Sequence, residues 1–236
     1  MGRGVAYCTP AVNNMLRGIF VTGTDTGIGK TVVSAALLHR YRLAGPVGYW
    51  KPIQTGIEQD DDSATVRELG SAADSEIHSE GIRLERPLSP HLAARLAGHE
   101  IEAAHLENLI GSLPTNVPWI VEGAGGALVP INDSWLMTDL MKRLGLPALI
   151  VARSGLGTIN HTLLTIEALR ARSLRVAGVV MVGEPNTDNR VAIEQYGDTI
   201  VVGEMPWFNR VHADELGRWS RAELDPANRL AEFFQS

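Results

Sequence analysis

Cysteine is nearly absent. Cys8 is the only one among 236 residues, which excludes an intrachain disulfide and a cysteine-based zinc site and fits a reducing, cytoplasmic compartment. Basic residues are outnumbered, 21 against 27 acidic, for a net charge of −6; a nucleic-acid-tracking surface normally shows as a basic excess. No apolar run approaches the ~18–20 residues needed to span a bilayer, the stretch 147–152 being among the longest. Membrane and nucleic-acid partners are therefore not expected. Internal repeats and low-complexity linkers are lacking after residue 18. The seven histidines fall in no metal-ligand spacing, and without a Gly-x-Ser-x-Gly elbow no covalent nucleophile is indicated.

Residues 1–17 contain no acidic residue, periodicity or apolar h-region, which excludes a secretory signal. They read as a disordered extension or as sequence ahead of a true start at Met15, with an organelle transit peptide left open on the thin evidence of Arg3 and Arg17. Residues 18–236 read as a single domain. Short apolar runs at 19–22, 47–51, 119–122, 148–152, 176–182 and 199–202 are continuous rather than alternating, as expected of strands covered on both faces. Between them lie helical patterns at 30–43, 63–69, 106–113, 135–144 and 160–172. Ser89-Pro90 reads as an N-cap with proline in the first turn, opening a helix through Leu96; Asp225-Pro226 reads as the same device for a C-terminal helix. The alternation predicts an α/β fold, a doubly wound, mostly parallel sheet with helices on both faces. In such sheets ligands bind beyond the carboxyl ends of the strands.

The residues at those ends carry chemistry. The first strand runs into Gly23-Thr24-Asp25-Thr26-Gly27-Ile28-Gly29-Lys30-Thr31. A glycine-rich turn between strand and helix aims backbone N–H groups and a helix N-terminus at an anion. A lysine there reaches β- and γ-phosphates, and a threonine hydroxyl can hold Mg²⁺. The spacing is irregular, with Thr24 where the usual loop has its first glycine, but the Gly-Lys-Thr end is intact. The fold is thus expected to be of the P-loop NTPase type. The second strand ends in Lys51-Pro52, where a lysine projects into the same crevice, and Thr55-Gly56 follows. In the acidic run 58–62, charge at a helix start accounts for Asp60, while one carboxylate could hold Mg²⁺. The third strand ends in Glu122-Gly123-Ala124-Gly125-Gly126, the expected place for a metal ligand or water-orienting carboxylate. After the fourth strand, Gly155 and Gly157 precede Thr158-Ile159-Asn160-His161. That segment is either a plain helix entry or a carboxylate-binding N-terminus.

These segments, in this order, together with Ser89-Pro90-His91 and Gly203-Glu204-Met205-Pro206-Trp207, resemble the dethiobiotin synthetase family over about residues 18–210. The irregular spacing at Thr24 is the family's own. The resemblance implies a cyclo-ligase that joins CO₂ to 7,8-diaminononanoate at the expense of ATP, through a carbamate and a carbamic-phosphoric anhydride, giving dethiobiotin, ADP and phosphate. It implies Lys30 and Lys51 as catalytic groups and Mg²⁺ held by Thr31, Glu122 and one aspartate, with Asp62 favoured over Asp61. Nucleotide contacts are implied for Thr26, Gly27, Ile28, Gly29, Lys30, Thr31, Glu122, Gly125, Val182, Pro206 and Trp207. Substrate contacts are implied for Thr26, Lys51, Thr55 and Glu122, and for Gly157, Thr158, Ile159 and Asn160 acting on the neighbouring subunit of a homodimer. One position departs from the family: an asparagine ends the fifth strand in members with firm adenine preference, and here Val182 stands there. Base selectivity is expected to be relaxed.

Overall fold

The computed structural model describes residues 16–208 and 210–235. The expectations for residues 1–15 lie outside the described residues. In chain order the elements are β1 (Gly18–Gly23), α1 (Lys30–Tyr41), β2 (Gly48–Trp50), β3 (Ile53–Thr55), α2 (Asp62–Leu69), β4 (Ile77–His78), β5 (Ile82–Leu84), α3 (Pro90–Leu96), α4 (Ala103–Ser112), β6 (Trp119–Gly126), α5 (Met137–Leu144), β7 (Ala148–Arg153), α6 (Thr158–Arg170), β8 (Val176–Val182), α7 (Thr187–Gly197), β9 (Val201–Met205) and α8 (Ala213–Ala222).

Seven strands form one sheet in the order β4-β2-β6-β1-β7-β8-β9, and every neighbouring pair is parallel. A parallel sheet needs helical crossovers that cover both faces, and the burial follows. Along β1, Phe20 faces one core, packed beneath α3 to α7. Ile19 and Val21 face the other, built on α1, α8 and the C-terminal segment. This two-sided burial is why the strands read as unbroken apolar runs. Strands β3 and β5 pair separately, also in parallel, beside the carboxyl end of β2.

Two expectations need correction. No helix starts at Asp225-Pro226. Asp225 has φ +49°, whereas an N-cap needs extended backbone. Its buried carboxylate instead accepts from Tyr41 OH (2.6 Å), Arg229 N (2.7 Å) and Leu230 N (2.8 Å). The chain wraps around it, leaving only a 3₁₀ turn at Ala231–Phe233. The strand expected at 199–202 is shifted to Val201–Met205, because Asp198 turns left-handed (φ +42°) and the Thr199 N–H bonds back to Glu194 O.

Candidate active site

The carboxyl ends of β1, β2 and β6 open into a cleft of about 550 Å³. The loop after β1 wraps into α1 through Gly29, whose φ of +95° is the left-handed turn a glycine accommodates. A Cβ there would lie 3.5 Å from Val182 Cγ1 and 3.6 Å from Met205 Cε. The cleft is lined by Thr26, Gly27, Gly29, Lys30, Thr31, Lys51, Thr55, Asp62, Glu122 and Gly125, so one cavity gathers residues from four separate segments.

At its centre is a buried charge network. Lys51 Nζ lies 2.5 Å from Asp62 Oδ2 and 2.9 Å from Glu122 Oε1 and donates to Gly123 O at 3.0 Å. Thr31 Oγ1 lies 2.8 Å from Asp62 Oδ1 and 3.0 Å from Glu122 Oε1. Burial pulls the Lys51 ammonium down, but Glu122 and Asp62 outweigh it and the net direction is up. Burial likewise pushes the Asp62 carboxyl up and Lys51 overrides it, leaving it below the usual aspartate range. Lys30 moves the other way: burial first, then the nearby Lys51 charge, lowers its ammonium. Lys30 Nζ donates to the Asp25 carbonyl at 3.0 Å. Lys51 is offset by two carboxylates, whereas Lys30 meets a carbonyl oxygen, so the Lys30 charge is the one a polyphosphate would offset.

The donor set near Thr31 fits a hard dication. It is all oxygen, one hydroxyl and two carboxylates, the pattern Mg²⁺ takes together with substrate phosphates. One hydroxyl proton serves only one of the two carboxylate oxygens within its reach, so a cation there would complete the set. Asp61 is turned away: it is the N-cap of α2, accepting from Ala64 N at 3.1 Å. Asp60 lines the cleft, and burial, then Asp62, raises its carboxyl.

Other expected residues lie elsewhere. The Ile28 side chain is buried in the core on the α1 side of the sheet, leaving its backbone for any nucleotide contact. Val182 is buried against Gly29 and Met205, beside the loop and outside the cleft. Trp207 stands 63% exposed beyond β9. A Cβ on Gly183 would collide with Ser154 Oγ and lie 3.1 Å from Trp207 Nε1, so Ser154, Gly183 and Trp207 crowd together next to Val182. Among the described residues that line the cleft, none comes from Gly157, Thr158, Ile159 or Asn160. They open α6, with Leu156 fully exposed just before them.

Sequence reasoning missed four groups. Tyr49 OH and Ser34 Oγ donate to Glu122 Oε2 at 3.0 and 2.9 Å. The signal was available: Tyr49 is two residues from Lys51 on a strand, and Ser34 three from Thr31 on a helix, hence on the same faces. Gln54 donates to Thr55 O and Asp60 O at 2.9 and 3.1 Å, tying down the loop that delivers Asp62. Arg153, ending β7, pairs with Asp25 at 2.6 Å.

A parallel sheet whose first strand feeds a glycine-rich loop, a lysine and a helix defines a P-loop nucleotide-binding protein. Residues 17–215 match the AAA domain family. Over 190 residues the chain is 52% identical to the ATP-dependent dethiobiotin synthetase of Paramagnetospirillum magneticum, covering 80% of this chain and 88% of that one. Over 199 residues it is 45% identical to the same enzyme of Brucella ovis, covering 84% and 90%. The chain therefore belongs to the dethiobiotin synthetase family. It is also 49% identical over 207 residues to a biotin biosynthesis bifunctional protein of Bordetella avium, covering 87% of this chain but only 43% of that longer protein. Among solved structures, a ParA family ATPase from Chlorobium tepidum aligns with a TM-score of 0.57 at 10% identity, over 88% of this chain and 98% of that one. A nucleotide-binding protein from Archaeoglobus fulgidus aligns at 0.53 and 14%, over 95% and 94%. Both likenesses are of fold.

Proposed function

We propose that this chain catalyses the ATP-dependent ring closure of 7,8-diaminononanoate with CO₂ to dethiobiotin, a ligase step of biotin biosynthesis. The observation that carries the reading is the convergence of Lys30, Lys51, Thr31, Asp62 and Glu122 on one cleft at the end of a phosphate loop.

One substrate amine captures CO₂ as a carbamate. Its oxygen attacks the γ-phosphorus of ATP, and ADP leaves. The second amine then attacks the carbonyl carbon of the carbamic-phosphoric anhydride, closing the ureido ring and expelling phosphate. A carbamate is a weak nucleophile, so positioning and charge neutralisation do most of the catalytic work. Lys51, fixed by two carboxylates, holds the carbamate against the phosphoryl oxygens. Lys30 and the N–H groups of residues 26–31 hold the β- and γ-phosphates. Thr55 and Thr26, both lining the cleft, orient the diamine. Thr31, Asp62 and Glu122 are the residues that would hold Mg²⁺, which supplies charge neutralisation for the phosphates.

Pro206 and Trp207 are assigned to the nucleotide base, with Val182 beside them. The α6 entry, directed outside its own cleft and preceded by exposed Leu156, supports a homodimer in which Gly157–Asn160 receive the substrate carboxylate of the neighbouring site. No helix among the described residues is long and apolar enough to cross a membrane; we assign the enzyme to the cytoplasm.

The test is phosphate release by the purified chain with ATP, Mg²⁺, bicarbonate and the diamine. Release that requires both bicarbonate and diamine is expected. Equal release without diamine would contradict the ligase and favour a nucleotide switch.

A further inference from the structure

The two oxygens of Glu122 face different groups. Oε1 meets Lys51 Nζ and Thr31 Oγ1, both on the cleft wall. Oε2 accepts from Tyr49 OH at 3.0 Å and Ser34 Oγ at 2.9 Å. Tyr49 and Ser34 are fully buried, and neither is among the cleft-lining residues. The arrangement is doubled: β2 supplies Tyr49 to the inner oxygen and the residue just after it, Lys51, meets the outer, while α1 supplies Ser34 to the inner and Thr31 to the outer.

We propose that Tyr49, assisted by Ser34, is a positioning residue that fixes the Glu122 carboxylate so that only Oε1 is presented to the metal and to Lys51. The terminal torsion of a glutamate is broad and roughly two-fold, so without anchors the group can rotate and offer both oxygens to Lys51. Two hydroxyl donors on Oε2 remove that freedom. They also satisfy an oxygen that would otherwise be buried without a partner, at the cost of its desolvation. Tyr49 suits the task because its rigid ring is fully buried and brings one hydroxyl donor to Oε2. Partners that orient a metal ligand commonly matter tenfold or more for metal affinity.

The inference deepens the proposed function, since it rests on Glu122 facing Mg²⁺. Its test uses the full chain and the variants Tyr49→Phe, Ser34→Ala and the double variant, with Mn²⁺ as probe. Free Mn²⁺ is measured by electron paramagnetic resonance at saturating ADP, alongside metal-free ADP affinity, melting temperature and kcat. Tyr49→Phe removes a single oxygen and adds nothing, and Ser34→Ala provides an independent route if the first variant folds poorly. Mn²⁺ affinity is expected to fall roughly tenfold in Tyr49→Phe and further in the double variant, with metal-free ADP affinity within about twofold and kcat reduced more than the nucleotide KM. A melting-temperature loss with Mn²⁺ affinity within about twofold of wild type in all three variants overturns the inference and makes Tyr49 merely structural. Wild type that fails to bind Mn²⁺ with ADP overturns the inference together with the metal assignment. Wild type that binds Mn²⁺ but shows no diamine-dependent turnover overturns the reaction alone, and the Mn²⁺ affinities still decide the inference.

Discussion

Lys51 has the most to do and the least freedom to do it. The residue is 3% exposed and its ammonium is gripped by two carboxylates and a carbonyl, so it is delivered as a fixed charge rather than a mobile tether. Lys51→Ala is expected to lower kcat by about 10²–10³, the scale for losing one preorganised transition-state donor, with ADP affinity changed less than about threefold. Comparable losses in both would reduce Lys51 to a binding residue. Base recognition is a second residue-scale matter. Val182 and Pro206 offer no side-chain donor or acceptor, and a pocket without a dedicated partner discriminates weakly between ligands. We expect kcat/KM for CTP and GTP to lie within about tenfold of that for ATP; strict rejection of both in a competition assay would show that backbone groups or Trp207 supply the selectivity. The residues that share the cleft were legible because their type and position suggest the chemistry: a Gly-Lys-Thr before a helix, a lysine before a proline, a glutamate ending an apolar strand. Gln54 was not, because an amide inside a fold is ordinary until the acceptor it meets is known, and Tyr49 was marked only by its spacing from Lys51.

Elements defined by a strong local signal came out of the sequence with nearly correct ends, notably Val176–Val182 and Pro90–Leu96. Those that depend on tertiary contact did not. The two-residue β4 exists only by pairing with β2, and β3 and β5 by pairing with each other. Helix α7 is capped by Asn186, which accepts from Asn189 N at 2.9 Å, a polar signal lost in a polar segment. The C-terminal segment was misread because Asp225-Pro226 has an N-cap's composition but serves as a buried anchor. Its carboxylate takes Tyr41 OH at the end of α1 and two backbone N–H groups, and Phe234 stacks on Tyr41 with ring centroids 4.1 Å apart. Asp225→Ala is therefore expected to cost about 3 kcal/mol by leaving buried donors unpaired, lowering the melting temperature by ~6–12 °C. Calorimetry of the nucleotide-free protein checks this. A shift under ~2 °C would mean that the C-terminal segment adds little to α1.

At the scale of the whole molecule, seven parallel strands with a core on each face gather the cleft residues at their carboxyl ends and bury titratable groups elsewhere. Burial lowers His39 and His78 below the ordinary 6.5, so the folded state binds fewer protons than the unfolded one. Their contribution to stability is complete above that value and is lost as pH falls through it. Burial raises Tyr41 and Tyr49 above 10.0, so their contribution is complete below that value and is lost as pH rises beyond it. On the histidine part, the melting temperature is expected to fall as pH drops below about 6.5. A melting temperature unchanged down to about pH 5 would contradict the histidine part. The central claim is that carbamate and γ-phosphate meet in one cleft, held by Lys30 and Lys51. It is tested most directly by a rapid single turnover of ATP and the diamine with ¹⁸O-labelled CO₂ in unlabelled water. Phosphate expelled from a carbamic-phosphoric anhydride keeps one carbamate oxygen, so one ¹⁸O per phosphate is predicted. Phosphate that carries only a solvent oxygen would show that water, and not the carbamate, attacked the nucleotide.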